Sequence, residues 1–211
     1  VAGQFRTVER IQRRVLLAPA PALAAVGNAV PGFEPVVVEG AENVHPLKAL
    51  EAAHRGVDAA RAGLERQVGH RFRQRHRHWL IVDGVISDTD QWAADRHTIG
   101  VSKSHATLPF EGADLTRYLT LPQGHRTSVF EPATWRIVPV HSWGFRLWPH
   151  EGRDLLHGLV RVEVAPEGSI ERADEISRWL LAERVPLARP DRRWDRLLYG
   201  VATVERHLRA R

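Results

Sequence analysis

The segment from Trp79 to Gly84 constrains the fold of this chain more than any other. Four consecutive apolar residues, Trp79 to Val82, lead directly into Asp83 and Gly84. A short continuous apolar run of this kind is typical of a strand that is buried on both faces. Gly84 permits a sharp turn and a close approach of a ligand to the backbone. The segment therefore predicts a buried strand that presents a carboxylate at its end.

Other short apolar runs predict a sheet around this strand. Strands are predicted near residues 79, 98, 126, 137, 144 and 160, and the second is expected to run antiparallel to the first. Apolar residues at helical spacing predict helices near 46–70, 113–120, 170–184 and 192–209. Pro46 suits the first turn of one helix, and Ser169 suits the N-cap of another. The pattern favours an α/β fold, with a mixed β-sheet flanked by helices.

The length of 211 residues suits one domain with an appendage. Residues 1–45 are expected to be an N-terminal arm or extension, with a short amphipathic helix, an irregular Ala/Pro-rich connection over 18–31 and a short strand at 36–38. Residues 46–211 are expected to form the main domain. The sequence has no run of 18 apolar residues and no cysteine, so we expect a cytoplasmic protein that makes no membrane contact.

A group of arginines precedes the central strand in a chain of net charge +5. Its members in the predicted nucleic-acid-binding set are Arg71, Arg73, Arg75 and Arg77. One interpretation is a solvated helix face. The other is a patch that contacts phosphate groups, because guanidinium groups match phosphate oxygens. Both interpretations remain open, and the nearby Asp83 strengthens the second.

The charged groups on the predicted strands suggest hydrolysis of a phosphodiester. No P-loop, dinucleotide-binding, HExxH or GxSxG motif is present. Asp83, Glu163 and one further acid would hold Mg²⁺ or Mn²⁺, because hard cations prefer carboxylate oxygens. Lys103 and Arg126 would stabilise the charge that develops on the phosphoryl group. These four residues are the predicted catalytic set.

Each of these residues also has a structural interpretation. Asp83 could be a turn acid at a strand end, Glu163 a residue on a half-exposed strand, and Lys103 a solvated loop residue. The third metal ligand is sought in Asp191 and Asp195. We take Asp195 as the candidate, since Asp191 is at least as well suited to capping the last helix.

The order of several sequence blocks resembles the NurA nuclease family. These blocks are Leu80-Ile-Val-Asp83-Gly84, Gly100-Val-Ser-Lys103-Ser, Leu121-Pro-x-Gly-x-Arg126-Thr-x-x-Phe130, Trp143-x-x-Arg146-Leu and Leu159-Val-Arg161-Val-Glu163. The resemblance covers about residues 79–205, and it rests on the order of the blocks. It implies an RNase H-like fold in which Asp83 is the metal-binding acid of the first strand and Lys103 the lysine of a later strand. Glu163 matches a further acid less closely.

The resemblance also implies a function and partners. Members of the family cut DNA with Mn²⁺, act as dimers and work with the hexameric ATPase HerA in the resection of double-strand breaks. The implied function is therefore a Mn²⁺- or Mg²⁺-dependent DNA nuclease in DNA repair. The implied partners are DNA, a HerA-like hexameric ATPase and a second copy of the chain.

Two departures from the family pattern favour an alternative function. Val85 stands where the family usually has serine, and no histidine falls in register near residues 189–195, where the family has a late histidine. A catalytically inactive RNase H-like module that binds nucleic acid or scaffolds an ATPase would tolerate both departures. One half of an Argonaute-like protein is a third option, which would require further aligned acids.

Overall fold

The computed structural model describes residues 9–26, 30–39, 45–75, 78–88, 92, 95–103, 107–133, 137–167 and 169–184. The chain divides into two compact units, Arg6–His76 and Val1–Phe5 with Arg77–Arg211. The predicted helix at 192–209 and the candidate ligands Asp191 and Asp195 lie outside the described residues, as does Arg77.

The described residues of the N-terminal unit form two strands and two helices. They are β1 (Val15–Ala18), α1 (Ala20–Val26), β2 (Glu34–Val37) and α2 (Pro46–Arg75). The predicted amphipathic helix has its apolar positions between Phe5 and Val15; no helix is found over 9–14, the part of it that the structure describes, and β1 begins at Val15. The helix α1 lies where an irregular connection was predicted. The apolar run at Val15–Ala18 pairs in parallel with Glu34–Val37. This strand pairing determines the local structure there, and the helical spacing of the apolar residues does not. The alanine-rich segment that follows has a high intrinsic helix propensity, which the proline content concealed.

The long helix α2 belongs to the N-terminal unit. The predicted domain boundary after residue 45 therefore does not coincide with the division between the compact units, which falls between His76 and Arg77. The reason is a small apolar cluster in which Ala52 of α2 packs with Val38 and Leu17. The sequence pattern showed the helix but not which apolar surface it would cover.

The second unit is built on a four-stranded mixed sheet. Its elements are β3 (Leu80–Asp83), β4 (Thr98–Ser102), α3 (Gly112–Leu119), β5 (His141–Arg146), β6 (Leu159–Val164) and α4 (Ser169–Glu183). The strand order is β3-β4-β6-β5. The α/β class and these elements are confirmed, but the predicted antiparallel pairing of the first two strands is wrong, because β3 and β4 are parallel. The predicted strand near 126 is reduced to isolated bridges from Arg126 and Phe130 to β5, and no strand is found over 137–140.

The two faces of this sheet differ sharply in composition. Residues that are partners across neighbouring strands point to the same face, so the register assigns each side chain. One face, here called the helix-covered face, carries Ile99, Val101, Trp143, Phe145, Val160, Val162 and Val164, against which α4 packs Ala173, Ile176 and Leu180. The other, here called the polar face, carries Gly100, Ser102, Ser142, Gly144, Arg146, Arg161 and Glu163.

Within the described part of the chain, no helix combines the length and the apolar character that crossing a lipid bilayer requires.

Candidate functional site

The ion pair between Asp83 and Lys103 is the centre of the candidate site. Asp83 pairs in parallel register with Val101, so Lys103 follows two residues beyond that partner at the same end of the sheet. The Lys103 Nζ atom donates a hydrogen bond to Asp83 Oδ2 at 3.1 Å. The Asp83 side chain is 39% exposed and that of Lys103 is 27% exposed. Two predicted site residues are thus adjacent and reachable from solvent.

The parallel pairing is what brings these two residues together. The carboxyl ends of parallel strands lie at one edge of a sheet, which is where open α/β sheets commonly bind ligands. In the predicted antiparallel arrangement, Asp83 would have faced the beginning of β4 instead. The parallel topology therefore brings together two residues of the predicted catalytic set.

A pocket of about 430 Å³ lies beside Lys103. Its polar lining includes Asp154 and His157, and its apolar lining includes Trp148 and Leu156. Asp154 Oδ1 accepts a hydrogen bond from the Leu156 backbone N–H at 2.6 Å, so this acid also shapes the local turn. Asp154 and His157 belong to a loop whose turn residues give no sign in the sequence that it would border Lys103.

Glu163 lies in a different environment from Asp83. It is fully buried, and its Oε2 atom accepts hydrogen bonds from the backbone N–H groups of Ile86 at 3.0 Å and Ser87 at 3.2 Å. Its Oε1 atom is 3.3 Å from Arg161 Nε, an ion pair without the alignment of a hydrogen bond. One carboxylate oxygen is therefore hydrogen-bonded to two backbone donors, and the other faces the Arg161 guanidinium without a hydrogen bond.

Asp83 and Glu163 point to opposite faces of the sheet. Asp83 is in register with Val101 on the helix-covered face, whereas Glu163 is in register with Gly100 on the polar face. The prediction that these two acids share one cation does not agree with this geometry. The physical reason is the two-residue period of a strand, which the sequence alone could not apply without the register.

The described residues do not complete the predicted metal site. A hard cation such as Mg²⁺ or Mn²⁺ needs several oxygen ligands. Over the described ranges, no group of three or more histidines and acids is placed to hold a metal ion. Among the predicted metal ligands that the structure describes, only Asp83 is placed as a candidate, and the predicted contribution of Asp195 lies outside the described residues.

Arg126 is far from Asp83 in the sheet. Its segment bridges the outer side of β5, which is separated from β3 by β6 and β4. Neighbouring strands are about 4.8 Å apart, so four such steps separate the two backbones by roughly 19 Å. The Arg126 side chain instead donates to Asp174 Oδ1 at 2.6 Å and to the Thr127 carbonyl at 2.7 Å. The predicted catalytic role of Arg126 does not agree with this position.

The predicted arginine patch lies on the C-terminal part of α2. Arg71 and Arg75 both form ion pairs with Glu9, at 2.7 Å and 3.2 Å. Arg73 lies on the same helix. Because these groups are partly exposed on a helix of the N-terminal unit, the solvated-face interpretation and the phosphate interpretation are both compatible with the geometry.

Arg146 is a buried structural cation that the sequence did not reveal. Its side chain is fully buried and donates hydrogen bonds to the backbone carbonyls of Leu119, Leu121, Leu155 and His157. Burial lowers the pKa of its guanidinium, while Tyr118 and Glu151 raise it in part. Arg146 thus ties the end of α3 to the loop that precedes β6.

His141 connects β5 to the start of α4. Its Nδ1 atom is 2.5 Å from Ser169 Oγ, and its Nε2 atom is 3.5 Å from Glu131 Oε1. A hydroxyl, an imidazole and a carboxylate that follow one another in space resemble the parts of a nucleophilic site. However, Ser169 is only 3% exposed and its hydroxyl also lies 3.0 Å from the Pro166 carbonyl, so the contact anchors the first turn of the helix.

No protein-family model matches the chain, and no curated protein matches its sequence.

Proposed function

We propose that the protein is a metal-dependent DNA nuclease that hydrolyses phosphodiester bonds in the processing of DNA ends. The pairing of Asp83 with Lys103 at the carboxyl end of two parallel strands carries this proposal. A half-exposed carboxylate is a suitable ligand for Mn²⁺ or Mg²⁺, and an adjacent ammonium group stabilises negative charge on a phosphate. The order of sequence blocks that resembles the NurA family supports the same function.

In this proposal Asp83 contributes one metal ligand and Lys103 contacts the phosphate. Acids among residues 185–211, of which Asp195 is the candidate, would supply further ligands. In this proposal Arg71, Arg73, Arg75 and Arg77 contact the phosphates of the DNA backbone and guide the strand. An RNase H-like fold, a homodimer, a HerA-type ATPase partner and a cytoplasmic location belong to the proposal through the family resemblance.

Cleavage of linear DNA with Mn²⁺ or Mg²⁺ tests the proposal. The wild-type protein should cut, Asp83→Asn should be inactive, and Lys103→Met should cut at least about 100-fold more slowly, a typical loss when one charge-stabilising group is removed. Asp114→Asn is the matched control, because Asp114 is an exposed acid of α3 that pairs with Arg117. Equal cleavage by Asp83→Asn and the wild type would remove Asp83 from the mechanism, and no cleavage by the wild type would reject the enzyme.

A non-catalytic module that binds nucleic acid or scaffolds an ATPase is the second candidate. The burial of Glu163 on the opposite face from Asp83 favours it, because this acid is lost to the metal site. Calorimetric titration with Mn²⁺ separates the two candidates. A nuclease should show a specific Mn²⁺ site that Asp83→Asn weakens, whereas a scaffold should show none.

A further inference from the structure

We propose that Glu163 is a positioning residue that holds the turn after β3 and thereby fixes the Asp83 carboxylate. This inference rests on the proposed function only in assigning Asp83 as the metal-binding acid. The carboxylate of Glu163 accepts hydrogen bonds from two consecutive backbone N–H groups, those of Ile86 and Ser87. These donors lie 77 and 76 residues away in the chain. A buried carboxylate that accepts backbone donors in this way fixes a loop, since the donors have no solvent to replace it.

The turn crosses the polar face directly over Gly100. A Cβ atom at this position would lie 2.9 Å from the Gly84 carbonyl oxygen and 2.9 Å from Ile86 Cγ2. Such a distance is below ordinary van der Waals contact, so any side chain on Gly100 would displace the turn. Gly100 and Glu163 are register partners, so they lie side by side on the polar face. Gly100 leaves room for the turn, and Glu163 binds the backbone N–H groups of the turn.

The turn is continuous with Asp83. The Gly84 backbone N–H donates to the Val101 carbonyl at 2.9 Å, and Gly84 has a φ of +127° that favours glycine. Only Val85 separates this residue from Ile86, the first donor to Glu163. Asp83 therefore stands immediately before a turn that is held at both ends, and a shift of that turn would change the direction of its carboxylate relative to Lys103.

Two double variants and one glycine variant separate positioning from metal ligation. Arg161→Met with Glu163→Gln retains an acceptor for the turn without a buried unpaired cation, whereas Arg161→Met with Glu163→Leu removes the acceptor. Gly100→Ala displaces the turn without changing any acid. Ser142→Ala is the control, because Ser142 also lies on the polar face, where its hydroxyl donates to the Val162 carbonyl at 2.9 Å.

Three quantities are measured on each full-length variant. They are the hydrogen exchange of the Ile86 and Ser87 amides, the carboxyl carbon resonance of Asp83 in metal-free protein, and the affinity for Mn²⁺. We expect the Gln variant and the control to resemble the wild type in all three. We expect the Leu variant and Gly100→Ala to lose amide protection, to shift the Asp83 resonance and to bind Mn²⁺ about 10- to 100-fold more weakly, the usual cost of removing support from a ligand.

Two results would overturn the inference. Loss of Mn²⁺ affinity in the Gln variant with full amide protection would identify Glu163 as a ligand. Loss of amide protection in the Leu variant or Gly100→Ala with an unchanged Asp83 resonance would show that the turn does not position Asp83. If the wild type binds no Mn²⁺, the nuclease proposal fails, while the metal-free resonance still decides whether Glu163 positions Asp83.

Discussion

The two faces of the main sheet use buried residues in different ways. The helix-covered face is apolar and is closed by α4, and it carries Asp83 at the exposed end of β3. The polar face buries Arg146, Arg161 and Glu163, each tied to a partner in the protein. The comparison teaches that the most deeply buried charges here are structural, whereas the candidate functional charge is the half-exposed one.

The first prediction concerns the apolar face and has the largest expected effect. Trp143 is fully buried, and its indole N–H donates to Ser177 Oγ at 3.0 Å. Trp143→Ala should lower the free energy of unfolding by about 3–5 kcal/mol, because it leaves a cavity under α4. Urea denaturation measures this change, with Ile137→Ala, an exposed site, as the control. A loss near that of the control would mean that the helix does not pack as described.

The second prediction concerns the polar face. Arg146→Met removes the fully buried donor that is shared by four backbone carbonyls and should lower the free energy of unfolding by about 3 kcal/mol. The exposed Arg117→Met is the matched control and should change it by less than about 0.5 kcal/mol. Similar unfolding midpoints for the two variants in urea would show that Arg146 is not a structural clamp.

The third prediction uses pH to probe the polar face. Burial raises the pKa of Tyr118 to about 12, against partial lowering by Arg161 and Arg146. The unfolded chain releases this proton near pH 10, so the folded state binds more protons between about pH 10 and 12. Stability should therefore fall by about 2 kcal/mol as the pH rises through this window.

Tyr118→Phe isolates this contribution. The variant lacks the phenol proton, so its stability should fall less steeply with pH than that of the wild type over the same window. Urea denaturation at several pH values between 9 and 12 gives the two slopes. Parallel slopes would indicate that Tyr118 titrates as an exposed tyrosine does.

The fourth prediction has the smallest effect on stability. Asp83→Asn removes a half-exposed ion pair with Lys103, and such pairs contribute at most about 1 kcal/mol. Thermal unfolding should therefore be nearly unchanged, although DNA cleavage should be lost. A large destabilisation by Asp83→Asn would mean that this acid is structural and that the contrast between the two faces is wrong.

The sequence predicted the elements of the sheet better than their arrangement. The run from Leu80 to Asp83 and the periodicity of α4 are local patterns, and both elements form as expected. Parallel pairing of β3 with β4 depends on how the connection between them crosses the sheet, which no local pattern records. No local pattern records which compact unit α2 belongs to either. That is decided by the apolar cluster in which Ala52 packs with Val38 and Leu17.

The candidate site was predictable only in part. Asp83 and Lys103 were both chosen from the sequence, and the structure places them together. Glu163 was chosen for its charge, but its role depends on the strand register and on donors from Ile86 and Ser87. A buried acid on an apolar strand is compatible with either a metal ligand or a loop anchor until that register is known.

Titration of carboxyl-labelled protein with Mg²⁺, followed by carbon NMR, tests the central claim most directly. The claim is that Asp83 is available to a cation and that Glu163, on the other face, is committed to the protein. The Asp83 carboxyl resonance should shift with added Mg²⁺, while the Glu163 resonance stays in place. A shift of both resonances with one dissociation constant, or a shift of Glu163 alone, would contradict the account.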